Sequence, residues 1–409
     1  MELHHDRLIN GLLKADLGLL TPEDVRDRLS QDVSIHVEST RASADDLWPS
    51  IWFLAAVLER EFIGNIFINA GIRSALPAPV PLSSRCRFAD NHVGAIAIRV
   101  GEFVNPVTEH EIIGDTRGNQ ITCGELLHSG EKANPIGCCA LAGYLGFAAL
   151  ARAVGVPSFH ETWKKPFLVM PFESSLTELP PSFGVLGNGQ VGQAFLSLAF
   201  FLYHAKYKPT VHLVDKDPFE SYNYRTQVLL TEDEKAWLGK PKSEYLSGLC
   251  REWKWNSSFE HTEIDWGWRQ RRPGQWIAFL GFDNMDARRV GVEGGFEWLF
   301  ECGVGTDFCR PRVTWHSLPA ERELARKIFQ EVEKKSWSKS AFALSLGDGP
   351  AECGRLFFEN IQATAPCLGL VAVAYTWMEI ANFLGGNRLP YSGSAYLWSQ
   401  LLPIDRTRI

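Results

Sequence analysis

Three runs of residues carry the types and spacings that nucleotide chemistry uses. The first is FGVLGNGQVGQAFLSLAFF (Phe183–Phe201), where Gly187, Gly189 and Gly192 form a G-x-G-x-x-G series between an apolar run and a helical pattern. Such a turn brings backbone N–H groups close to phosphate, at the positive end of a helix dipole. By themselves the glycines suit the pyrophosphate of a dinucleotide as well as the phosphates of a nucleoside triphosphate. The second run is VDKDPFESYNYRTQVLLTEDEKAWLGKPKSE. Asp215 closes its apolar start, where a nucleotide fold places a carboxylate on a ribose hydroxyl. Asp217, Asn223, Arg225 and Gln227 follow, then Lys242 in a Gly-Lys-Pro-Lys turn. A dehydrogenase needs little beyond the acidic residue. Arg and Lys here suit triphosphate chemistry, because negative charge moves onto a pyrophosphate leaving group. The third run, GFDNMDARR, sets Asp283 and Asn284 just past another apolar run. A carboxylate there can hold the magnesium of a nucleoside triphosphate, although Asp-Asn is also a common turn.

The elements that must position these residues are legible around them. FGVLG reads as a strand, VGQAFLSLAFFLYHAK as a helix and TVHLVD as a second strand. KPKSEYLSGLCREW reads as a further helix, and WIAFLG as a buried strand ending at Gly281. This alternation predicts a doubly wound, mostly parallel α/β sheet, with all three runs at the carboxyl ends of strands, where such sheets bind ligands. AERELARKIFQEVEKKSWSKS reads as a solvated surface helix. A Pro- and Ser-rich passage, Pro171–Gly184, marks a boundary, giving segments 1–175 and 176–409. NPIGCCALAGYLGFAALARAVG (Asn134–Gly155) is similar to APCLGLVAVAYTWMEIANFLG (Ala365–Gly385): each has Pro, then small apolar residues and an aromatic, then a closing Gly. The first segment is therefore expected to be a degenerate copy of the second, without a G-x-G-x-x-G and without activity.

Composition bounds the rest. The chain has 409 residues, 45% hydrophobic and 22% charged, with a net charge of −7 and no basic stripe, so no nucleic-acid partner is expected. The N-terminus has charges scattered through it and no signal-peptide core. The most apolar stretches, interrupted by Gly or polar residues, read as too short to span a membrane. Nine cysteines, an odd number with no C-x-x-C pair, point to a reduced, cytoplasmic protein without a zinc knot, most thiols being buried. Fourteen Trp and 25 Phe imply either heavy aromatic packing or a partner-binding face.

In combination, G-x-G-x-x-G, D-x-D-x5-N with Arg and Gln, G-x-P-K and D-N-x3-R resemble the ThiF/MoeB superfamily of ubiquitin-activating-type enzymes, over Phe183 to about Gly386. The resemblance implies a Rossmann-like adenylation domain that uses ATP and Mg2+ to activate the C-terminal glycine of a ubiquitin-like protein. It implies that Gly187, Gly189 and Gly192 line the phosphate turn and that Asp215 holds the ribose. Asp217, Asn223, Gln227 and Asn284 would complete the nucleotide site. Arg225 and Lys242 would act on the phosphates, Asp283 would bind magnesium, and Arg288 would be structural. The sequence departs from the family in three places: Gln190 stands where a further Gly is usual, Arg225 lies one place early, and the zinc cysteines of many relatives are missing.

Thioester-forming relatives carry a nucleophilic cysteine in a loop before one of the last helices. Cys353, in GDGPAECGRLF within the 340–366 region, fits: its neighbours are small and polar, and Arg355 would favour the thiolate. Cys302 and Cys309 are second choices, and Cys367 reads as packed. Relatives work as pairs, so an intramolecular pseudo-dimer or a homodimer is expected, with a ubiquitin-like protein and a conjugating-type enzyme as partners. The architecture is also similar to the activating enzymes of bacterial ubiquitination-like antiphage operons, the BilD type. Three alternatives stay open: adenylation for sulfur transfer or tRNA modification without a thioester, an NAD(P)-dependent oxidoreductase, and a scaffold with a relic site.

Overall fold

Local sequence explains where the helices begin and end. Thr21 caps the first helix through a reciprocal capping box with Asp24, with Pro22 at the helix start. Asn134 accepts the N–H of Gly137 at the start of a long apolar helix, which Gly155 ends in a left-handed conformation. The computed structural model describes residues 21–37, 44–69, 77–89, 92–101, 111–117, 120–123, 132–155, 167–169, 178–204, 207–269, 277–283, 285–304, 312–329, 365–386, 390–396 and 405–408.

The first part of the chain runs α1 (Pro22–Leu29), β1 (Val33–Val37), α2 (Ala44–Glu61), β2 (Ile66–Asn69), β3 (Cys86–Phe88), β4 (Ile96–Val100), β5 (Glu111–Arg117), β6 (Gln120–Cys123), α3 (Pro135–Val154) and β7 (Phe167–Val169). The second begins with β8 (Ser182–Leu186), α4 (Gln190–Tyr203), β9 (Thr210–Val214), a 3-10 turn (Ser221–Arg225), α5 (Glu234–Trp237), α6 (Lys242–Glu252) and β10 (Asn256–Glu260). It continues with β11 (Ile277–Leu280), α7 (Met285–Gly291), β12 (Trp298–Val304), β13 (Arg312–Pro319), α8 (Arg322–Ile328), α9 (Pro366–Leu384), β14 (Tyr391–Tyr396) and β15 (Asp405–Arg408).

The strands form two sheets, ordered β3-β2-β1-β4-β5-β6-β7 and β10-β9-β8-β11-β12-β13-β14-β15. Each starts with five parallel strands and continues with antiparallel ones. The fold is α/β, mostly parallel and doubly wound. The two sheets share one topology: β1 to β7 follow the same path as β8 to β14, α2 matches α4, and α3 matches α9. Between the sheets, α3 packs on α9 and on α2, and α9 packs on α4. Tyr144 and Tyr375 hold the same place relative to the prolines that open α3 and α9, and their hydroxyls meet at 3.2 Å. A two-fold relation between the halves brings such residues together.

One sequence expectation is corrected. Helices α3 and α9, of 20 and 19 residues, are long and apolar enough to cross a membrane by length and composition. They are strongly apolar because each is buried on nearly all sides, 94% of each apolar window lying inside the protein. The charged segment read as a solvated surface helix is one over α8, whose Arg322, Glu323, Arg326 and Lys327 are exposed, while Ala325 and, just past it, Phe329 pack into a core under β11 and β12. The rest of that segment, from 330, lies outside the described residues. Among the described residues much of the aromatic content goes into packing: Phe195 stacks between Phe279 and Trp377 at centroid distances of 4.2 and 4.7 Å, and Trp315 stacks on Tyr375 at 4.1 Å.

Candidate functional site

The ends of β8, β9 and β11 open into one cleft of about 480 Å³. It lies where the sheet order reverses between β8 and β11, the place at which this architecture leaves a crevice. Gly187 leaves β8 with φ +89°, a conformation that favours glycine. A methyl group on Gly192 would lie 2.2 Å from the carbonyl oxygen of Gly187, so that glycine lets α4 start against the turn. Gly187 and Gly189 line the cleft, and nothing lies within 4 Å of a methyl placed on Gly189. Gly192 stands behind them.

Asp215, past the end of β9, is buried and accepts the N–H groups of Asn188 at 2.6 Å and Asp217 at 2.8 Å. Burial raises its carboxyl pKa, while the charge of Lys242 and those two donors oppose the rise. Lys242 opens α6; its Nζ lies 3.3 Å from the Asp217 carboxylate, and its N–H bonds the Asp217 carbonyl. Tyr222, Asn223, Thr226 and Gln227 form one wall. The Asn223 amide oxygen accepts the Glu220 N–H and shapes the 3-10 turn. Gln193, inside α4, donates to the Gln227 side chain at 2.6 Å and accepts the Leu229 N–H at 3.1 Å.

On the far side, Asp283 and Asp286 line the cleft and are exposed. Arg288 donates twice to the Phe282 carbonyl, at 2.9 and 2.7 Å, and pairs at 2.6 Å with the fully buried Glu301. That pair ties the β11 loop to β12, whose Gly303 and Val304 complete the wall. Ile264 and the exposed Trp266 edge the opening past β10.

The lining fits a nucleotide. Its charged members are Asp215, Lys216, Asp217, Lys242, Glu263, Asp265, Asp283, Asp286 and Arg288, of which Arg288 is engaged with Phe282 and Glu301. The groups in it that could meet phosphate are the α4 N-terminus and Lys242, and the surplus of carboxylates would call for a divalent cation beside them. Among the described residues no group of three or more His, Cys, Asp or Glu is set to hold a metal alone. One or two rim carboxylates sharing an ion with phosphate oxygens is the arrangement magnesium takes.

Not every expected residue arrives at the cleft. Arg225 is not among its lining residues: the 3-10 turn directs its guanidinium to the Phe62 carbonyl, at 3.4 Å, and beside the Glu61 carboxylate. Its early place in the sequence is the signal for this. Asn284, Cys309 and Cys353 lie outside the described residues. Cys302 adjoins the cleft but is fully buried, and burial pushes its thiol pKa far up, which disfavours the thiolate a nucleophile needs. Cys367 is packed at the start of α9, its N–H donating to Glu61 at 3.1 Å.

Sequence reasoning missed Glu61, Gln193, Glu301 and Arg60. Arg60 is a buried residue of α2 that bonds the loop beyond Gln227. The ionisable run Glu59-Arg60-Glu61 after an apolar helix face was the available signal.

The family model described as the BilD C-terminal domain matches residues 179–387, half of the chain. No curated protein matches. Among solved structures, E. coli MccB with MccA-N7isoASN is similar at 17% identity and TM-score 0.38, over 56% of this chain and 64% of that one. The chain thus spans under two thirds of that relative. E. coli MccB with AMPCPP and MccA is similar at 14% identity and TM-score 0.38, over 73% of this chain and 94% of that one. E. coli MccB with ATP gives 14%, 0.39 and the same shares.

Proposed function

The chain belongs to the BilD family, ThiF/MoeB-like proteins on an adenylating fold, and from that premise we propose that it activates the C-terminal glycine of a ubiquitin-like protein with Mg-ATP. The observation that carries the proposal is the meeting of Gly187, Gly189, Asp215, Lys242 and Asp283 in one cleft at the sheet's reversal point. ATP is the substrate, its phosphates on the glycine turn and Lys242, and its ribose on Asp215. Asp283, with Asp286 beside it on the rim, would hold the magnesium, which supplies charge neutralisation at the phosphates. An oxygen of the carrier's terminal carboxylate bonds to the α-phosphorus as the bond to the bridging oxygen breaks, giving acyl-adenylate and pyrophosphate. The nucleophile is already ionised, so this step needs no general base. The residues contribute positioning and electrostatics.

A thioester step follows in this reading. The Cys353 thiolate attacks the acyl carbon, AMP leaves, and the carrier passes to a conjugating-type enzyme. The first half, residues 1–175, is the inactive copy: it has the sheet order of the second and no glycine turn in its sequence. The setting is a cytoplasmic ubiquitination-like defence system of the BilD type.

The test is thermal unfolding with Mg-ATP, and separately with NAD and NADP. Ligand at 100 times its dissociation constant adds about 2.7 kcal/mol. Stabilisation by Mg-ATP that Asp283→Ala abolishes is the expected result. Stabilisation by NAD or NADP alone overturns the proposal.

A further inference from the structure

The first half does more than pack against the second. Arg60, in the last turn of α2, is 1% exposed, and all three of its guanidinium nitrogens are engaged. Nε donates to the carbonyl of Gln227 at 2.9 Å; Nη2 donates to those of Val228 at 3.2 Å and Leu230 at 2.6 Å. Nη1 donates to Ala56 at 2.8 Å and pairs with Glu59. The guanidinium also lies over the Tyr224 ring, 4.9 Å from its centroid. One buried side chain thus holds three carbonyls of a single loop, and that loop carries the Thr226 and Gln227 wall of the cleft.

Chemistry explains why this is arginine. Carbonyls 227, 228 and 230 point at a common centre and offer no donor, so they need N–H groups fanned in a plane. Lysine presents one ammonium and cannot meet three separated acceptors from a planar fork. Glu59 balances the buried charge, and its other oxygen accepts the Ser83 N–H at 2.9 Å, so the clamp itself is anchored. From the opposite side Gln193 holds Gln227 and Leu229. The loop is gripped between a residue of each half.

We infer that Arg60 is a positioning residue for the nucleotide cleft, donated by the half that has no phosphate turn of its own. Its effect on ATP rests on the adenylation reading above; its hold on the loop does not. The test therefore has two readouts on the full chain, in Arg60→Met and in Arg60→Lys, the latter keeping the charge beside Glu59 if the former does not fold. The first is amide hydrogen exchange without nucleotide. Protected N–H groups of Thr226, Gln227, Leu229 and Leu230 should exchange about tenfold faster in both variants, with β1 and β8 unchanged. The second is ATP–pyrophosphate exchange with the carrier. KM for ATP should rise by about tenfold with kcat little altered, lysine giving no rescue.

Unchanged loop exchange overturns the inference, and so does acceleration spread evenly over the chain, the mark of a merely structural residue. If the wild-type protein binds no Mg-ATP, the adenylation reading falls and with it the role in ATP affinity. Acceleration confined to the loop would still establish the clamp.

Discussion

Two glycines three residues apart in the phosphate turn should respond to alanine in opposite ways. A methyl on Gly192 would sit 2.2 Å from the carbonyl oxygen of Gly187 and 3.2 Å from its carbon. That oxygen cannot retreat easily. The Gly187 N–H is bonded to Val214 at 2.9 Å, and Gly281, whose N–H is bonded to Leu186 at 2.7 Å, closes in as well: a methyl placed on it would lie 2.7 Å from the same oxygen. With backbone on both sides of the clash, the cost belongs at the upper end of overpacking, about 3 kcal/mol. Alanine inside a helix recovers about 1 kcal/mol over glycine, leaving a net loss of about 2 kcal/mol for Gly192→Ala. Gly189→Ala meets nothing within 4 Å and has φ −79°, so only the poorer fit of alanine at a helix N-cap acts on stability, a loss of about 1 kcal/mol or less. Its methyl projects where phosphate must approach, so Mg-ATP affinity should fall by tenfold or more, about 1.4 kcal/mol. Equilibrium urea unfolding followed by tryptophan fluorescence gives the stabilities, and calorimetric titration gives the affinities. If Gly192→Ala is as stable as wild type, the close approach of α4 to the turn is wrong. If Gly189→Ala keeps full affinity, the turn is not where phosphate binds.

Lys242→Met should lower ATP–pyrophosphate exchange by about a hundredfold, the size of effect of removing one charge-stabilising donor, and wild-type rates would exclude Lys242 from phosphate contact. Cys353→Ala should keep pyrophosphate exchange and lose the reducible carrier adduct on a non-reducing gel; an adduct that persists moves the nucleophile elsewhere. Glu61 is buried with its carboxyl pKa pushed up from 4.5 to about 7, so the folded chain keeps a proton that the unfolded chain loses. Its contribution to stability therefore falls as pH rises between about 4.5 and about 7, by up to about 3 kcal/mol. Glu61→Gln should flatten that slope in urea unfolding at pH 5, 6 and 8, and identical slopes in the two proteins would refute the assignment.

The parts of the site that were legible in the sequence are the local ones. Gly187, Asp215, Lys242 and Asp283 each sit next to a strand or helix end that apolar patterning marks, and the topology then brings strand ends together without further information. Arg225 was misplaced because its direction depends on a 3-10 turn, on the Asn223 side chain that shapes it, and on Phe62, far away in sequence. Arg60 and Glu301 were invisible for a related reason. A charge inside an apolar run reads as a solvated face until its partners are known, and those partners lie in other elements. Helices α3 and α9 showed their similarity in composition, but only the shared strand order and the Tyr144–Tyr375 contact establish what the similarity means.

That contact also bears on why a half without a phosphate turn is part of the molecule. Helix α9 is buried round nearly its whole circumference; β12 and β13 cover one side and α4 a second, while α3 covers what remains. Without α2 and α3 the second sheet would carry an uncovered apolar helix layer of the kind that marks an obligatory interface. The cleft is built on the end of that same layer: α4 begins at the phosphate turn, and Gln190 in its first turn donates at 2.7 Å to the Ala365 carbonyl just before α9. The Arg60 clamp reaches the cleft from the opposite wall. Both supports of the cleft therefore run into the contact between halves. On the reading proposed above, the first half supports a cleft that none of its described residues lines, and that task needs no glycine turn of its own.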